Sequence, residues 1–500
     1  MNNRKLKFMN PIKMLFLTGA LCAAAFAQSP EPKPGEAKSV KIPAVKEFTL
    51  KNGLKVAVAN RPDVPLVSVT LLVKGGAVNE NPESAGLADM TLTLLTKGTK
   101  TRSATDVAEQ IEFLGASLNS GAGWNSSTVS LNVMSDKLPD ALAIMADSVL
   151  KPAFVQEEID LSKSQTLDGL TYNLTQPGFL SNYVASAYSF DEHPASGTPD
   201  SIQSISQEEL LDFHKVFFTP KNCVLIFAGD ISEVDARKLT EKFFGSWKSS
   251  KQESKSIFES PTMPPKGSES KVKPIVQRLL VVDLPNSGQA AVSYAVKSDA
   301  GRITFDGPNF ANSNYFNAIV LNSLLGGGYS SRLNQEIRIK RGLSYGAGSS
   351  FASRDLGSNF STRTQTKNES AAEVAELVVT ELKRLQNEEI ADAELTPRKL
   401  VLTGGFGRNL ETNNGLSNAI ADLYTFGLPV DYLNSYMGNV MSIKDSGIRS
   451  FAAKTFLSGD IIIVGDYAKF KDDLAKRFPN ITVDVVKADE LDISKEDLRK

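Results

Sequence analysis

The sequence predicts an α+β protein built from two related halves, and three observations carry that prediction. Short strands, some alternating and some apolar throughout, are interleaved with amphipathic helical stretches, the order expected of antiparallel sheets backed by helices. That order recurs: SISQEELLDFHKVFFTPKNCVLIFAGD matches SIKDSGIRSFAAKTFLSGDIIIVGD, with Asp230 and Asp466 separated by 236 positions. An earlier pair, IEFLGASLNSGAG from Ile111 and IRIKRGLSYGAGS from Ile337, repeats in the same sequence. At 500 residues, 41 % hydrophobic and 22 % charged, the chain is long enough for two to four domains and has the composition of a globular protein with a large core.

The first element is not part of the fold. Arg4, Lys5, Lys7 and Lys13 precede an uncharged stretch from Met14 to Ala27 that ends Ala25-Phe26-Ala27, the layout of a cleavable signal peptide over residues 1–27. The stretch is shorter than the roughly 20 apolar residues that cross a bilayer, so no stable membrane insertion is expected. Leu21 before Cys22 argues against lipid attachment, where a small residue is wanted. Export to a periplasm follows, with full secretion as the alternative. Losing four basic residues and no acidic ones moves the formal net charge from −2 to −6, and nothing in the chain asks for nucleic acid. Only Cys223 would remain after cleavage; within CVLIF it is expected to be a buried small hydrophobe in a strand.

Residues 28–45 are rich in Pro and Lys and are expected to form a flexible lead-in. The N-terminal half, 46–248, opens on FTLKNGLKVAVA, where Asn52-Gly53 predicts a two-residue hairpin turn. A half-buried strand at Val67 to Val73 follows, then a helix within 86–99, a second helix over Ala104 to Leu114 and a strand around Thr128 to Met134. Further helices run to about residue 215 before the buried strand Cys223 to Ala228. A segment rich in Ser, Lys, Glu and Pro, 249–276, marks a linker. The C-terminal half spans 277–482, and 483–500 reads as a tail. Trp124 and Trp247 are expected to pack in the core or at a face between the halves.

The stretch GLADMTLTLLTKGT from Gly86 to Thr99 resembles the inverted-zincin helix of the M16 (insulinase and mitochondrial processing peptidase) family. There a Gly-x-Ala lead is followed by His-x-x-Glu-His and an apolar run ending Lys-Gly-Thr. In that motif two His at i and i+4 bind zinc and the Glu activates the metal-bound water. Here Asp89 and Thr93 stand at the ligand positions, Leu92 stands at the general-base position, and the family's third ligand, a later Glu, aligns with Gly169 beside Asp168. A lone carboxylate and a hydroxyl make a poor zinc pair, and leucine cannot accept a proton. The chain has two His in all, His193 and His214, in neither motif, and both are expected to be packing or surface residues. No second zinc constellation can be built, so this chain is expected to bind no cofactor of its own.

The second half keeps what the first has lost. Within SLLGGGYSSRLNQEIRIKRGLSYGAGSSF, Arg338 and Tyr345 match the Arg and the Tyr seven residues later that, in the resembled family, reach toward the zinc and hydrogen-bond the substrate carbonyl. Gly342 is expected to cap the helix in the left-handed conformation, leaving Arg338 in the last turn and Tyr345 on the next strand. Gly326-Gly327-Gly328 lacks the later Gly-Lys-Ser/Thr of a phosphate loop and predicts a tight turn. The resemblance spans roughly Phe48 to Phe478 and implies two homologous halves in a clam-shell arrangement. It implies a non-catalytic subunit of a periplasmic heterodimer, serving a homologous partner that carries zinc and an intact His-x-x-Glu-His and acting on extended peptides. The alternative it leaves is a peptide-binding or assembly scaffold with no proteolytic role.

Overall fold

CVLIFAG and GDIIIVG are apolar at nearly every position, the pattern of strands whose sheet is covered on both faces. What covers the second face is the main feature of the fold. The computed structural model describes residues 42–248, 274–302, 314–355 and 357–500; the expected signal peptide, most of the lead-in and nearly all of the linker lie outside them.

In the first half, β1 (Val45–Thr49), β2 (Lys55–Asn60), β3 (Leu66–Val73), β4 (Ser117–Ala122), β5 (Ser127–Met134) and β6 (Cys223–Gly229) form one sheet in the order β1-β2-β6-β3-β5-β4. The second half repeats the plan with β7 (Val276–Asp283), β8 (Ala290–Ser298), β9 (Ala347–Arg354), β10 (Gly357–Thr366), β11 (Gly459–Gly465) and β12 (Val483–Lys487), in the order β12-β7-β11-β8-β10-β9. β6 and β11 begin 236 residues apart, the offset of the sequence repeat. Both sheets are mixed rather than antiparallel throughout, because β6 and β11 return after a series of helices and enter parallel to β2 and β7.

Two local departures have physical causes. Asn52-Gly53 does not form a two-residue turn: β1 ends at Thr49 and β2 begins at Lys55. Leu50 and Leu54 are buried and close the loop backbone to backbone, while the Asn52 amide donates to Phe244 O at 2.8 Å. The sixth place in the second sheet is taken by β12 from the segment that reads as a tail, parallel to β7. β1, which precedes its sheet, fills that place in the first half.

Along β3 the alternate residues Val67, Val69, Leu71 and Val73 enter the first-half core with Leu225 and Phe227. Ser68, Thr70 and Leu72 point the other way, and the helix Asn413–Thr425 of the second half packs there on β3 and β6. The converse also holds. The first-half helix Pro177–Phe190 lays Leu180, Tyr183 and Val184 on Leu280, Val282, Ile462 and Val464 of the second sheet. These two helices start 236 positions apart, so they are equivalent elements of the repeat, exchanged. Each half closes the apolar back of the other's sheet.

Polar contacts fasten the exchange. The Arg61 guanidinium donates to Leu410 O and Glu411 O, both at 2.7 Å, where the helix Asp392–Leu410 leaves carbonyls unpaired. Arg354 forms a two-pronged ion pair with Glu192, both contacts at 2.6 Å. Among the described residues no helix is long and apolar enough to cross a membrane.

Candidate functional site

The residues of GLADMTLTLLTKGT divide by their place in the fold. The frame is structural. Gly86 has φ +92°, and a Cβ there would come within 2.7 Å of Ile202, so glycine is required. The helix Leu87–Leu94 starts under the buried Glu80 carboxylate, which accepts from Gly86 N at 2.9 Å and Ala88 N at 2.5 Å. Burial pushes the Glu80 carboxyl up to about 8, against those two donors, which favour its charged form. At the other end Gly98 has φ +109°, and Thr99 donates to Asp147 at 2.7 Å. Thr101 and Arg102 join the same oxygen at 2.6 Å each; although burial opposes it, these bonds hold Asp147 down at about 2.

The positions that would carry chemistry face elsewhere. Asp89 and Thr93 lie on the exposed side of the helix, and Gly169, on the helix Gln156–Asn173, is exposed with open space where a side chain would be. Leu92 is fully buried in the first-half core. A site with one carboxylate, one hydroxyl and no third side chain does not fit zinc. Among the described residues no group of three His, Cys, Asp or Glu is arranged to hold a metal ion.

His193 and His214 are packing residues. His214 stacks on Phe218 with ring centres 4.6 Å apart and places Nε2 2.8 Å from Val149 O; burial lowers its pKa to about 4. His193 sits between Ala77 O, 3.0 Å from Nε2, and the Trp124 ring, with centres 5.1 Å apart. The Arg354 guanidinium of the second half lies over the Trp124 ring, 4.6 Å from its centre, which puts this tryptophan at the face between the halves. Trp247 packs on the first-half core near Phe244. Cys223 is buried, and burial pushes its thiol far above the usual range.

Arg338 and Tyr345 line one cleft of about 920 Å³ in the second half. Arg338 lies in the last turn of a helical segment that is π-helical over Asn334–Ile339. Gly342, at φ +64°, ends it; its N–H reaches Arg338 O at 3.0 Å and the Leu343 N–H reaches Ile337 O at 2.9 Å. Tyr345 is not on the strand, which begins at Ala347. The Ser344 hydroxyl accepts from Gly346 N at 3.0 Å and donates to Gly346 O at 2.7 Å, and this small turn presents Tyr345 outward at 90 % exposure. The Arg338 guanidinium lies 5.0 Å from the centre of the Tyr329 ring. Gly326 to Gly328 form the expected turn, against β9: a Cβ on Gly326 would meet Ser349 N at 2.3 Å.

Gly178, Ser181 and Asn182 of the exchanged helix also line this cleft, a contribution that sequence reasoning missed. Its signal was the 236-residue offset applied to Pro177. None of Asp89, Leu92, Thr93 or Gly169 lines it. A cationic fork and a phenol converging on one open cleft can donate to a carbonyl or an anion but supply no base and no metal.

Two family descriptions match the chain: the insulinase family, peptidase M16, over residues 55–187, and the peptidase M16 inactive domain over 204–399. A Rickettsia bellii protein described as a zinc protease is 28 % identical over 305 residues, 60 % of this chain and 68 % of that protein. The Bacillus subtilis zinc protease YmxG is 24 % identical over 375 residues, 74 % of this chain and 85 % of that one. Among solved structures, an M16 inactive domain from Pseudomonas fluorescens superposes with TM-score 0.71 at 24 % identity, covering 84 % of this chain and 98 % of that one. A protease from Helicobacter pylori gives 0.72 at 22 %, covering 85 % and 100 %.

Proposed function

Because the chain belongs to the M16 (insulinase) peptidase family, we propose that it is the non-catalytic subunit of a periplasmic M16 zinc metallopeptidase, active only as a heterodimer with a homologous subunit that carries His-x-x-Glu-His. The observation that carries this reading is the separation of the two functional sets. Arg338 and Tyr345 share an open cleft that no vestigial metal position lines, so their donors are available to a scissile carbonyl held against a metal in another chain. The exposure of Tyr345 suits that use, since a partner and its peptide can reach the phenol. The partner supplies zinc, its water and the general base. This chain holds an extended peptide, with its unpaired sheet edges β4 and β9 as sites for strand addition, and Arg338 and Tyr345 polarise the carbonyl as negative charge develops.

The test is reconstitution with a His-x-x-Glu-His homologue from the same genome, with metal content measured on each purified chain. The pair should cleave a quenched extended peptide while neither chain does so alone, and zinc should be found in the partner. One tightly held zinc in this chain, or chelator-sensitive turnover by it alone, overturns the reading.

A further inference from the structure

The cleft holding Arg338 and Tyr345 contains a second arginine that the proposed mechanism does not use. Arg363 projects from β10 opposite Gly348 on β9, and a Cβ built on Gly348 would sit 3.6 Å from its Nε. Arginines elsewhere in the described chain commonly hold a carboxylate: Arg102 with Asp147, Arg278 with Asp460, Arg332 with Glu394, Arg354 with Glu192. Among the described residues neither Arg338 nor Arg363 has an ion-pair partner, and none of the described residues that line the cleft is Asp or Glu. Its remaining polar lining is neutral amides and hydroxyls such as Asn182, Gln289 and Gln365. In a chain whose formal net charge is −2, this is a local concentration of uncompensated positive charge inside a concave site.

We propose that Arg363 is a specificity-determining residue that selects peptides carrying a carboxylate, an Asp or Glu side chain, a few residues from the bond being cut. The inference rests on the reading of this cleft as the carbonyl-binding side of a peptidase. A guanidinium fork matches a carboxylate in two parallel hydrogen bonds, which fixes the direction of approach as well as the charge. Arg338, committed to the carbonyl, adds its field without taking the carboxylate. Lysine- or arginine-bearing segments are repelled by both groups.

The experiment measures binding to the full-length mature chain alone, using fluorescein-labelled extended Ala/Ser decapeptides in which one Glu is moved through successive positions, each paired with its Gln isostere. At the favoured position Glu should bind about ten-fold more tightly than Gln, and the advantage should shrink with added salt. Arg363→Gln should abolish the discrimination, Arg363→Lys should keep part of it, and Arg363→Glu should turn the preference toward a Lys peptide. Equal binding of Glu and Gln peptides at every position, no peptide binding at all, or discrimination that survives Arg363→Gln overturns the inference. The assay needs no partner, so its outcome is separable from the proposed function. An inert reconstituted pair with intact Glu discrimination sinks the peptidase reading alone, whereas a working pair that cuts Glu and Gln peptides equally sinks this one alone.

Discussion

The Ser417 hydroxyl donates to the Thr70 hydroxyl at 2.7 Å, joining the exchanged helix Asn413–Thr425 to the middle of β3 across 347 positions of sequence, with both side chains buried. It is a polar pin through the apolar seam. Removing one partner strands the other hydroxyl away from water, which costs about 1–3 kcal/mol. Thr70→Val or Ser417→Ala should therefore lower stability by that amount in urea unfolding. The double variant should cost less than the sum, because the two hydroxyls satisfy each other. Additive losses would mean that water or another group already satisfies each side chain.

The buried imidazole of His214 gives the chain an acid-side weakness. Its folded pKa, lowered to about 4 by burial, lies below the ordinary 6.5, so the unfolded chain binds the proton first. By linkage, stability is complete above about 6.5 and falls as pH drops toward 4, by about 3 kcal/mol in all from this group. His214→Gln keeps a donor for Val149 O and cannot titrate. Its stability relative to the parent should improve steadily from pH 7 to pH 4 in denaturant titrations; a constant difference would show that His214 does not titrate in that window.

Rebuilding the lost metal motif should fail at one residue in particular. Leu92 is fully buried, and its carbonyl accepts the Ser120 hydroxyl of β4 at 2.6 Å, which fixes the helix against the sheet. Leu92→Glu would place a carboxylate in the apolar core and should cost at least about 3 kcal/mol. Asp89→His and Thr93→His, on the exposed side, should each change stability by within about 0.5 kcal/mol. Differential scanning calorimetry compares the three. A Leu92→Glu protein as stable as its parent would mean that the helix can turn to expose that position.

How much was legible beforehand follows the range of the interactions involved. β6 and β11 are readable because an all-apolar run between helices has few other fates; the sequence places the first at Cys223 to Ala228, one residue short of its end at Gly229, and the repeat offset points to the second. The substitutions at Asp89, Leu92, Thr93 and Gly169 are matters of side-chain identity alone, which a sequence states directly. The exchange of helices is not readable in this way: the runs demand cover on a second face, but periodicity within a segment does not say which distant segment supplies it. β12 escaped notice because VDVVK is short and only half-buried, and its pairing is with β7 some 200 residues away. β-propensity puts Tyr345 on a strand because it cannot see the Ser344 hydroxyl bracketing Gly346 in a turn ahead of the strand, which begins at Ala347. The turn that carries Arg338 is π-helical, with Asn334 and Ile337 buried, a departure that helical periodicity does not signal.

The strongest test of the proposed function lies in Tyr345 and Arg338 together. Tyr345→Phe removes one donor and keeps the ring, and at 90 % exposure the residue contributes little to packing, so folding and assembly should be unaffected. Loss of one donor to a developing oxyanion costs about 2.7–4 kcal/mol, a fall in kcat/KM of the reconstituted pair on the order of 100- to 1000-fold. Arg338→Ala should do similar damage and should also free the Tyr329 ring from its cation. Because both donors serve one carbonyl, the double variant should lose less than the product of the single losses. Complex formation, followed by size-exclusion chromatography, separates a catalytic defect from failed assembly. Should both single variants assemble and cleave at the parent rate, the pair is structural and the peptidase role falls. A loss confined to KM would instead mean that these groups hold the peptide equally in the ground and transition states, making them binding rather than rate-determining donors.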